Sequence, residues 1–392
     1  MKTDSERRDL LSRTFSDHFA AAPEIWARAP GRVDLMGSHT DYNLGYVLTL
    51  PISRDTLIAA RASREKMVRL HSLAMNADDS FSLGSIEPAP VGHWGNYVRG
   101  VAKVLQTEGL LLTGFDGVID TTVPLGSGLS SSAALECAAA VLFQSIGGWK
   151  LDPVHMAQLC QRAENEFVGV NCGILDQYTS CAGRAGCALL LDCRDLRSRP
   201  VPLPGDVSVV ICDTHAPRQL SGSEYGMRRA DCELGAMLMG VPALRDSRLE
   251  QLRGLGDGLP AQAARRCQFI LEENERVLDL VAALTSGDRG AIGKLCAESF
   301  RGATDLYEIV VPAMTAMIEA MLAAPGTIGA RQAGAGFGGC LVSFVDQSSV
   351  AAFSQSVREG YRKATGIEPS VYPVEAAEGA GLLEMPSMEV TP

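Results

Sequence analysis

A ten-residue run, Pro124-Leu-Gly-Ser-Gly-Leu-Ser-Ser-Ser-Ala133, constrains this chain more than any other segment. It stands between a strand-like stretch near Gly117 to Thr122 and a long apolar helix expected over Ala133 to Ile146. Glycines in such a turn let the backbone approach a ligand, while the first N–H groups of the helix lack partners within it and carry the positive end of its dipole. Strand, small-residue turn and helix in that order make an anion site, and phosphate is the anion expected there. The run has neither the Gly-Lys-[Ser/Thr] of a Walker A loop nor the spacing of a dinucleotide turn. Its serines add hydroxyls: Ser131 and Ser132 are hydrogen-bond donors, and a hydroxyl also suits Mg²⁺. An N-capped helix with a flexible entry has the same local pattern, so the run alone leaves both readings open.

Around it, helical and strand patterns alternate irregularly, which indicates a mixed α and β chain and excludes a bundle, a β-sandwich or a solenoid. Expected elements include an amphipathic first helix, extended segments near Ile25 to Ala29 and Tyr46 to Ala62, and helices near Trp94 to Leu105 and Val154 to Phe167. The stretch from Arg194 to Asp206 is rich in proline and charge and places a boundary near residue 205, giving domains 1–204 and 205–392. The second half opens with the β-branched run Val207 to Thr214 and continues through helices near Gly222 to Met239, Pro260 to Leu284 and Ala313 to Leu322. It then carries a second glycine loop, Gly334-Ala-Gly-Phe-Gly-Gly-Cys340, directly before an apolar strand. Glycine loops in both halves imply a ligand held between them.

Charge narrows the partners. Lys and Arg number 35 against 46 Asp and Glu, a formal net charge of −11, so nucleic acid is not an expected partner and any phosphate ligand needs locally concentrated positive potential. No apolar run approaches the roughly 20 residues of a membrane span, and the charged opening segment lacks the apolar core of a secretory signal. A cytoplasmic location is expected. The eleven cysteines include no C-x-x-C pair and suit reduced core thiols better than disulfides or zinc.

The glycine and serine run resembles the phosphate-binding motif of the GHMP kinases. Arg28-Ala-Pro-Gly-Arg-Val-Asp-Leu-Met-Gly-Ser-His-Thr-Asp-Tyr-Asn43 resembles the galactokinase signature within that superfamily, and Trp94-Gly-Asn-Tyr-Val-Arg-Gly100 its segment near adenine. Asn171-Cys-Gly-Ile-Leu-Asp-Gln177, Ser221-Gly-Ser-Glu-Tyr-Gly-Met-Arg-Arg229 and the second glycine loop follow in the family's order. The resemblance spans almost the whole chain. It implies the two-domain α+β GHMP fold, with an N-terminal domain related to the second domain of ribosomal protein S5. It also implies transfer of the ATP γ-phosphoryl group to the anomeric hydroxyl of a galactose-like sugar, with ATP and Mg²⁺ required.

The resemblance distributes roles. Asp176 matches the proposed base that takes the C1 hydroxyl proton, and Arg32 the arginine that keeps this carboxylate ionised and offsets charge on the transferred group. Glu164, twelve residues before Asp176, matches the Mg²⁺ carboxylate and pairs with Ser132. Gly126, Ser127, Gly128, Leu129, Ser130, Ser131 and Ser132 match the ATP-binding loop, with Trp94 and Tyr97 near adenine. Gly334, Gly336, Gly338 and Gly339 match the glycine loop of the site wall. The neighbouring Glu166 is expected to face solvent.

His39, Asp41, Tyr225 and the backbone at Gly173 match groups that hold sugar hydroxyls. The departure lies at Ser38, where typical galactokinases carry a glutamate that helps hold the C6 hydroxyl, and Asp34 stands where asparagine is common. Losing that glutamate removes a charge-assisted hydrogen bond worth ~1.5–3 kcal/mol. It also removes a like charge facing any sugar carboxylate, so galacturonate and L-arabinose stand beside galactose as candidate substrates. A non-catalytic sugar sensor is disfavoured because the serine loop and catalytic residues are intact. Mevalonate or homoserine kinases are disfavoured by the His-Thr-Asp-Tyr and Ser-Glu-Tyr-Gly-Met-Arg-Arg segments.

Overall fold

Thr3 and Glu6 exchange hydrogen bonds across the first turn of α1 (Asp4–Phe19), a capping box that begins the described part of the chain. The structure is a computed structural model that describes residues 3–216 and 222–383; Ser221, which opens one of the family-like motifs, lies outside them. After α1 come β1 (Ile25–Met36), β2 (Tyr46–Ala62), β3 (Met67–Ser72), β4 (Ala77–Ser82), α2 (Gly95–Thr107), β5 (Phe115–Thr121), α3 (Ser131–Gly147), α4 (Pro153–Arg162), α5 (Leu175–Ala182), β6 (Cys187–Asp192) and β7 (Arg197–Pro202). The remainder forms β8 (Val207–Asp213), α6 (Gly222–Leu238), α7 (Leu249–Gly254), α8 (Ala261–Ser286), α9 (Arg289–Asp305), α10 (Pro312–Leu322), β9 (Thr327–Gln332), β10 (Cys340–Asp346), α11 (Val350–Thr365), β11 (Ser370–Val374) and β12 (Gly381–Leu382).

These strands make two sheets. The larger runs β12-β1-β2-β5-β3-β4, with β6 on the far part of β2 and β7 beyond it; only β3 and β5 pair in parallel. The smaller is antiparallel, in the order β11-β8-β10-β9. After β11 the chain returns to the first sheet, where Ala27 and Arg28 of β1 pair with β12.

The long strand β1 ties the two halves together. Ala27 and Ala29 pack in the core beneath α2 and α3, whereas Val33, Leu35 and Met36 enter a second core. That second core also holds Val209 and Ile211 of β8, Val342 and Phe344 of β10, and Val277 and Leu280 of α8. Fully burying each such side chain contributes on the order of 1.5–3 kcal/mol, so the joint between the sheets is apolar and rigid. Register shifts against β2 fall between Pro30 and Arg32 and again between Asp34 and Met36. Irregularities of this kind re-aim side chains, and here they bracket Arg32 and Asp34.

One element departs from expectation. A single helix from Val154 to Phe167 is corrected by the structure: Asp152 caps α4 with Pro153 at its first position, but the α-helix ends at Arg162 and Ala163–Val168 continues as a π-helical turn. Gly169, at φ 86°, closes it through an N–H bond to the Glu164 carbonyl. Such wide turns often mark functional positions, and this one carries Glu164. All eleven cysteines are free thiols, and among the described residues no helix is long and apolar enough to cross a membrane.

Candidate active site

A cleft of about 1040 Å³ opens where the first sheet, α3, α5 and α6 meet the loop after β9. At one end, Gly126 (φ 70°), Gly128 (φ 88°) and Ser130 (φ 61°) hold left-handed backbone and turn the chain sharply into α3. Ser130 occupies the N-cap position without using its side chain as a cap, and its Oγ is buried without a partner. The Ser130 side chain therefore leaves the first N–H groups of α3 uncapped, where Ser131 and Ser132 line the cleft. The loop is fastened from below: Arg32 N–H donates to the Leu129 carbonyl at 3.1 Å and Nη1 to the Gly128 carbonyl at 2.7 Å. A Cβ at Gly31 would lie 2.6 Å from that Leu129 oxygen, so only glycine allows the approach.

Two of the expected loop residues sit elsewhere. Ser127 donates to the Pro124 carbonyl at 2.8 Å, and Leu129 is part of the core, so neither lines the cleft. They shape the turn. In the second glycine loop, Gly334 and Gly336 line the cleft while Gly338 and Gly339 lie behind it, Gly339 accepting bonds from Thr214. Trp94 and Tyr97 stand with Met75, Ile119 and Leu135 along an apolar flank.

Asp176, in the first turn of α5, meets Arg32 in the cleft. Arg32 Nε donates to Asp176 Oδ1 at 2.8 Å, and Nη2 contacts the same oxygen. One guanidinium thus joins the phosphate loop to the carboxylate. Close by, Gln177 Nε2 donates to Glu164 Oε2 at 2.6 Å and to Glu136 Oε2 at 3.0 Å. Burial, with the Asp176 charge adding to it, raises Glu164 to about 7, while hydrogen bonds from Cys172, Ser132 and Gln177 favour its ionised form. Burial also pushes Glu136 up, well above its ordinary value. Adjacent hard oxygen donors, in a place where crowded carboxyl groups lack positive charge, fit a divalent cation held by Ser132 and Glu164. Glu166 is largely exposed, near Arg162.

At the other end, Asp41 presses on Gly173: a Cβ there would come within 1.7 Å of Asp41 Oδ2. Burial raises Asp41 to about 6, with Asp176 and Asp34 adding to the effect. Tyr225 packs 5.4 Å from the His39 ring and 5.5 Å from Tyr42. His39 has φ 67° and both ring nitrogens engaged: Nε2–H donates to the Ala335 carbonyl at 3.0 Å and Nδ1 faces the Tyr42 hydroxyl at 3.0 Å. The carbonyl fixes the tautomer. Burial lowers His39 to about 4, so it is neutral near pH 7. Any hydroxyl donated to a ring nitrogen must displace one of these bonds.

Ser38 is tied into a buried polar network. Its Oγ donates to Asp34 Oδ2 at 2.6 Å and accepts from Arg331 Nη2 at 3.0 Å. The Asp34 carboxylate, four residues upstream, borders the cleft but is wholly buried. Behind it, Arg331 donates to Glu273 Oε1 at 2.9 Å and to Ser299 at 3.0 Å, and Arg276 Nε donates to Glu273 Oε2 at 2.8 Å. Burial raises Asp34 against the pull of Arg331 and Ser38; burial opposes ionisation of Glu273 too, but Arg331 and Arg276 bring it below its ordinary value. Arg331 and Glu273 were not among the residues expected from sequence. Their signal was an arginine in the short strand β9 and a glutamate on the buried face of α8.

Comparison with known proteins finds relatives along nearly the whole chain. The family described as GHMP kinases N terminal domain matches residues 96–184, the galactokinase galactose-binding signature residues 13–62, and GHMP kinases C terminal residues 280–363. The galactokinase of Roseiflexus sp. (strain RS-1) is 42% identical over 376 residues, 95% of this chain and 96% of that one. The galactokinase of Chloroflexus aurantiacus (strain ATCC 29366 / DSM 635 / J-10-fl) is 42% identical over 377 residues, again 95% and 96% of the two chains. The crystal structure of Lactococcus lactis galactokinase complexed with galactose superposes with a TM-score of 0.91 at 31% identity, covering 96% of this chain and 99% of that one.

Proposed function

The chain belongs to the galactokinase family of the GHMP kinases, sugar phosphotransferases that use ATP, and on that premise we propose how its own residues divide the transfer of a phosphoryl group to the sugar's anomeric hydroxyl. The observation that carries the reading is the Arg32–Asp176 pair, which stands in the cleft and is bonded through Arg32 to the loop at the N-terminus of α3. Asp176 accepts the proton of the C1 hydroxyl as its oxygen attacks the γ-phosphorus. Arg32 holds that carboxylate ionised and lies where charge develops on the phosphoryl oxygens. The N–H groups of α3 and the hydroxyl of Ser131 cradle the phosphates, so an acidic chain holds an anion through backbone dipoles. Trp94 and Tyr97, on the apolar flank, receive the base.

Ser132 and Glu164 would hold Mg²⁺, which supplies neutralisation of the phosphate charges when bound with the nucleotide. Asp41 and Tyr225 orient the sugar, with Gly173 giving Asp41 its room. A cytoplasmic location and a unit boundary at residues 204 and 205 remain proposals resting on the sequence. Galactose is the sugar favoured by the family.

Replacing Asp176 by Asn tests the assignment. Calorimetric binding of galactose and ATP should stay within several-fold of wild type while kcat falls by roughly 10²–10⁴. A variant that turns over at close to the wild-type rate would remove Asp176 from its role.

A further inference from the structure

Away from the cleft, two histidines and an aspartate from three different elements converge where α1 packs on the first sheet. His18 lies in the last turn of α1, His71 on β3, and Asp78 directly across from His71 on β4. One donor atom of each stands within 4.8 Å of those of the other two. His71 is buried and its Nδ1 meets Asp78 Oδ1 at 2.7 Å, while the His18 ring lies over the His71 ring with centroids 4.0 Å apart. His18 and Asp78 are exposed, so the group is open to solvent. Leu11 and Phe15 of α1 are buried with Trp26, Leu57 and Val118, which seats the helix carrying His18 on the sheet carrying His71.

The hydrogen bonds set which atoms are free. His18 Nδ1–H donates to the Thr14 carbonyl at 2.9 Å, one turn back along α1, which leaves the Nε2 lone pair available in the neutral ring. That nitrogen has no hydrogen-bond partner among the described residues. A ring held at one nitrogen by a backbone carbonyl, with the other nitrogen turned outward, is the arrangement that orients metal-ligating histidines. Across the strands, register alone brings the His71 imidazole and the Asp78 carboxylate together around one proton.

We propose that His18, His71 and Asp78 form a binding site for a divalent transition-metal cation of the zinc class, which fastens α1 to the hairpin of β3 and β4. The cation replaces the proton between His71 Nδ1 and Asp78, that proton leaving to solvent, and His18 turns its Nε2 in as the third protein ligand, with water as the fourth. Ligand atoms around tetrahedral zinc stand about 3.3 Å apart, so rotation of the two exposed side chains closes the site. Two imidazoles with one carboxylate suit zinc, nickel or copper, whereas Mg²⁺ prefers oxygen ligands; the site is therefore separate in place and in chemistry from Ser132 and Glu164. Ala74 and Met75, in the turn between β3 and β4, line the cleft with Trp94, so the cation braces the hairpin behind the apolar flank.

The test is calorimetric titration of the full-length protein with ZnCl₂, in excess Mg²⁺ and without nucleotide. Wild type should bind one Zn²⁺ per chain with Kd below about 100 μM, and the affinity should fall at least about tenfold in His18→Ala and in Asp78→Ala. Both positions are exposed, so neither change opens the core. Amide hydrogen exchange across residues 67–82 should slow with Zn²⁺ in wild type and stay unchanged in His18→Ala. No saturable binding by wild type overturns the proposal without any variant. Undiminished binding in both variants overturns it too, because the ion then sits on other groups such as the cysteines. Binding that leaves exchange of the hairpin unaltered in wild type contradicts the brace.

Discussion

The two ends of the cleft are built in different ways. The end proposed for phosphate is a contiguous stretch, residues 126–132, of left-handed turns leading into the start of one helix, where backbone dipoles favour an anion. The end proposed for the sugar is backed by buried side chains far apart in the chain: Asp34 and Ser38 on and after β1, Glu273 on α8, Ser299 on α9 and Arg331 on β9. A site for a common group, phosphate, can be made of generic backbone; a site that must tell one sugar from another needs charges placed by the whole fold. Arg32 is where the two meet.

That division makes Arg32 the most damaging residue to lose. Arg32→Ala removes both the partner of Asp176 and the bond to the Gly128 carbonyl, so kcat should fall by at least about 10³ and the KM for ATP should rise. Arg32→Lys should recover little, since one ammonium does not serve both contacts. A rate within tenfold of wild type, read by ADP release, breaks the link between the ends.

Next in size is an acid effect confined to the sugar end. His39 is held at about 4 against an unfolded value near 6.5, so the unfolded chain binds the extra proton between those values and stability drops as pH falls through that window. At pH 4.5 the loss from this residue is about 3 kcal/mol. Asp41, raised to about 6, works in the opposite sense, gaining a proton in the native state first, so the useful comparison is between wild type and His39→Asn, whose asparagine tolerates the left-handed backbone. Urea unfolding at pH 7 and 4.5 should show the smaller pH dependence in the variant; identical dependence contradicts a buried neutral imidazole.

Two glycine changes separate the ends directly. Gly173→Ala places a Cβ on the Asp41 carboxylate and should raise the KM for galactose at least about tenfold, with the KM for ATP changed by no more than about threefold. Gly126→Ala meets no atom within 4 Å but must hold φ 70°, a conformation costing ~1–2 kcal/mol. It should raise the KM for ATP several-fold and leave the sugar KM alone. If either variant shifts both constants equally, the ends are not independent.

The same contrast explains what could be read from the chain before its fold was known. Strands, the phosphate loop, the first helix and the long α8 were legible because their signals are local: periodicity, caps and glycine turns. So were Asp176 and Arg32, through motifs that resemble a family. The partners of Ser38 were not, because Arg331 lies nearly three hundred residues away and only the joining of the two sheets brings it to β1. The hairpin of β3 and β4 was missed for another reason, since the charges of Ala77–Ser82 hide the strand alternation. The π-helical turn at Glu164 was missed because its residues are ordinary helix formers and the widening depends on Gly169 and the packing below.

The most direct measurement is product analysis. Wild-type protein incubated with ATP, Mg²⁺ and galactose should yield ADP and a sugar phosphate whose anomeric proton couples to phosphorus in the NMR spectrum. No ADP release, or phosphate on any carbon but C1, contradicts a cleft in which Asp176 and Arg32 meet the sugar's anomeric hydroxyl.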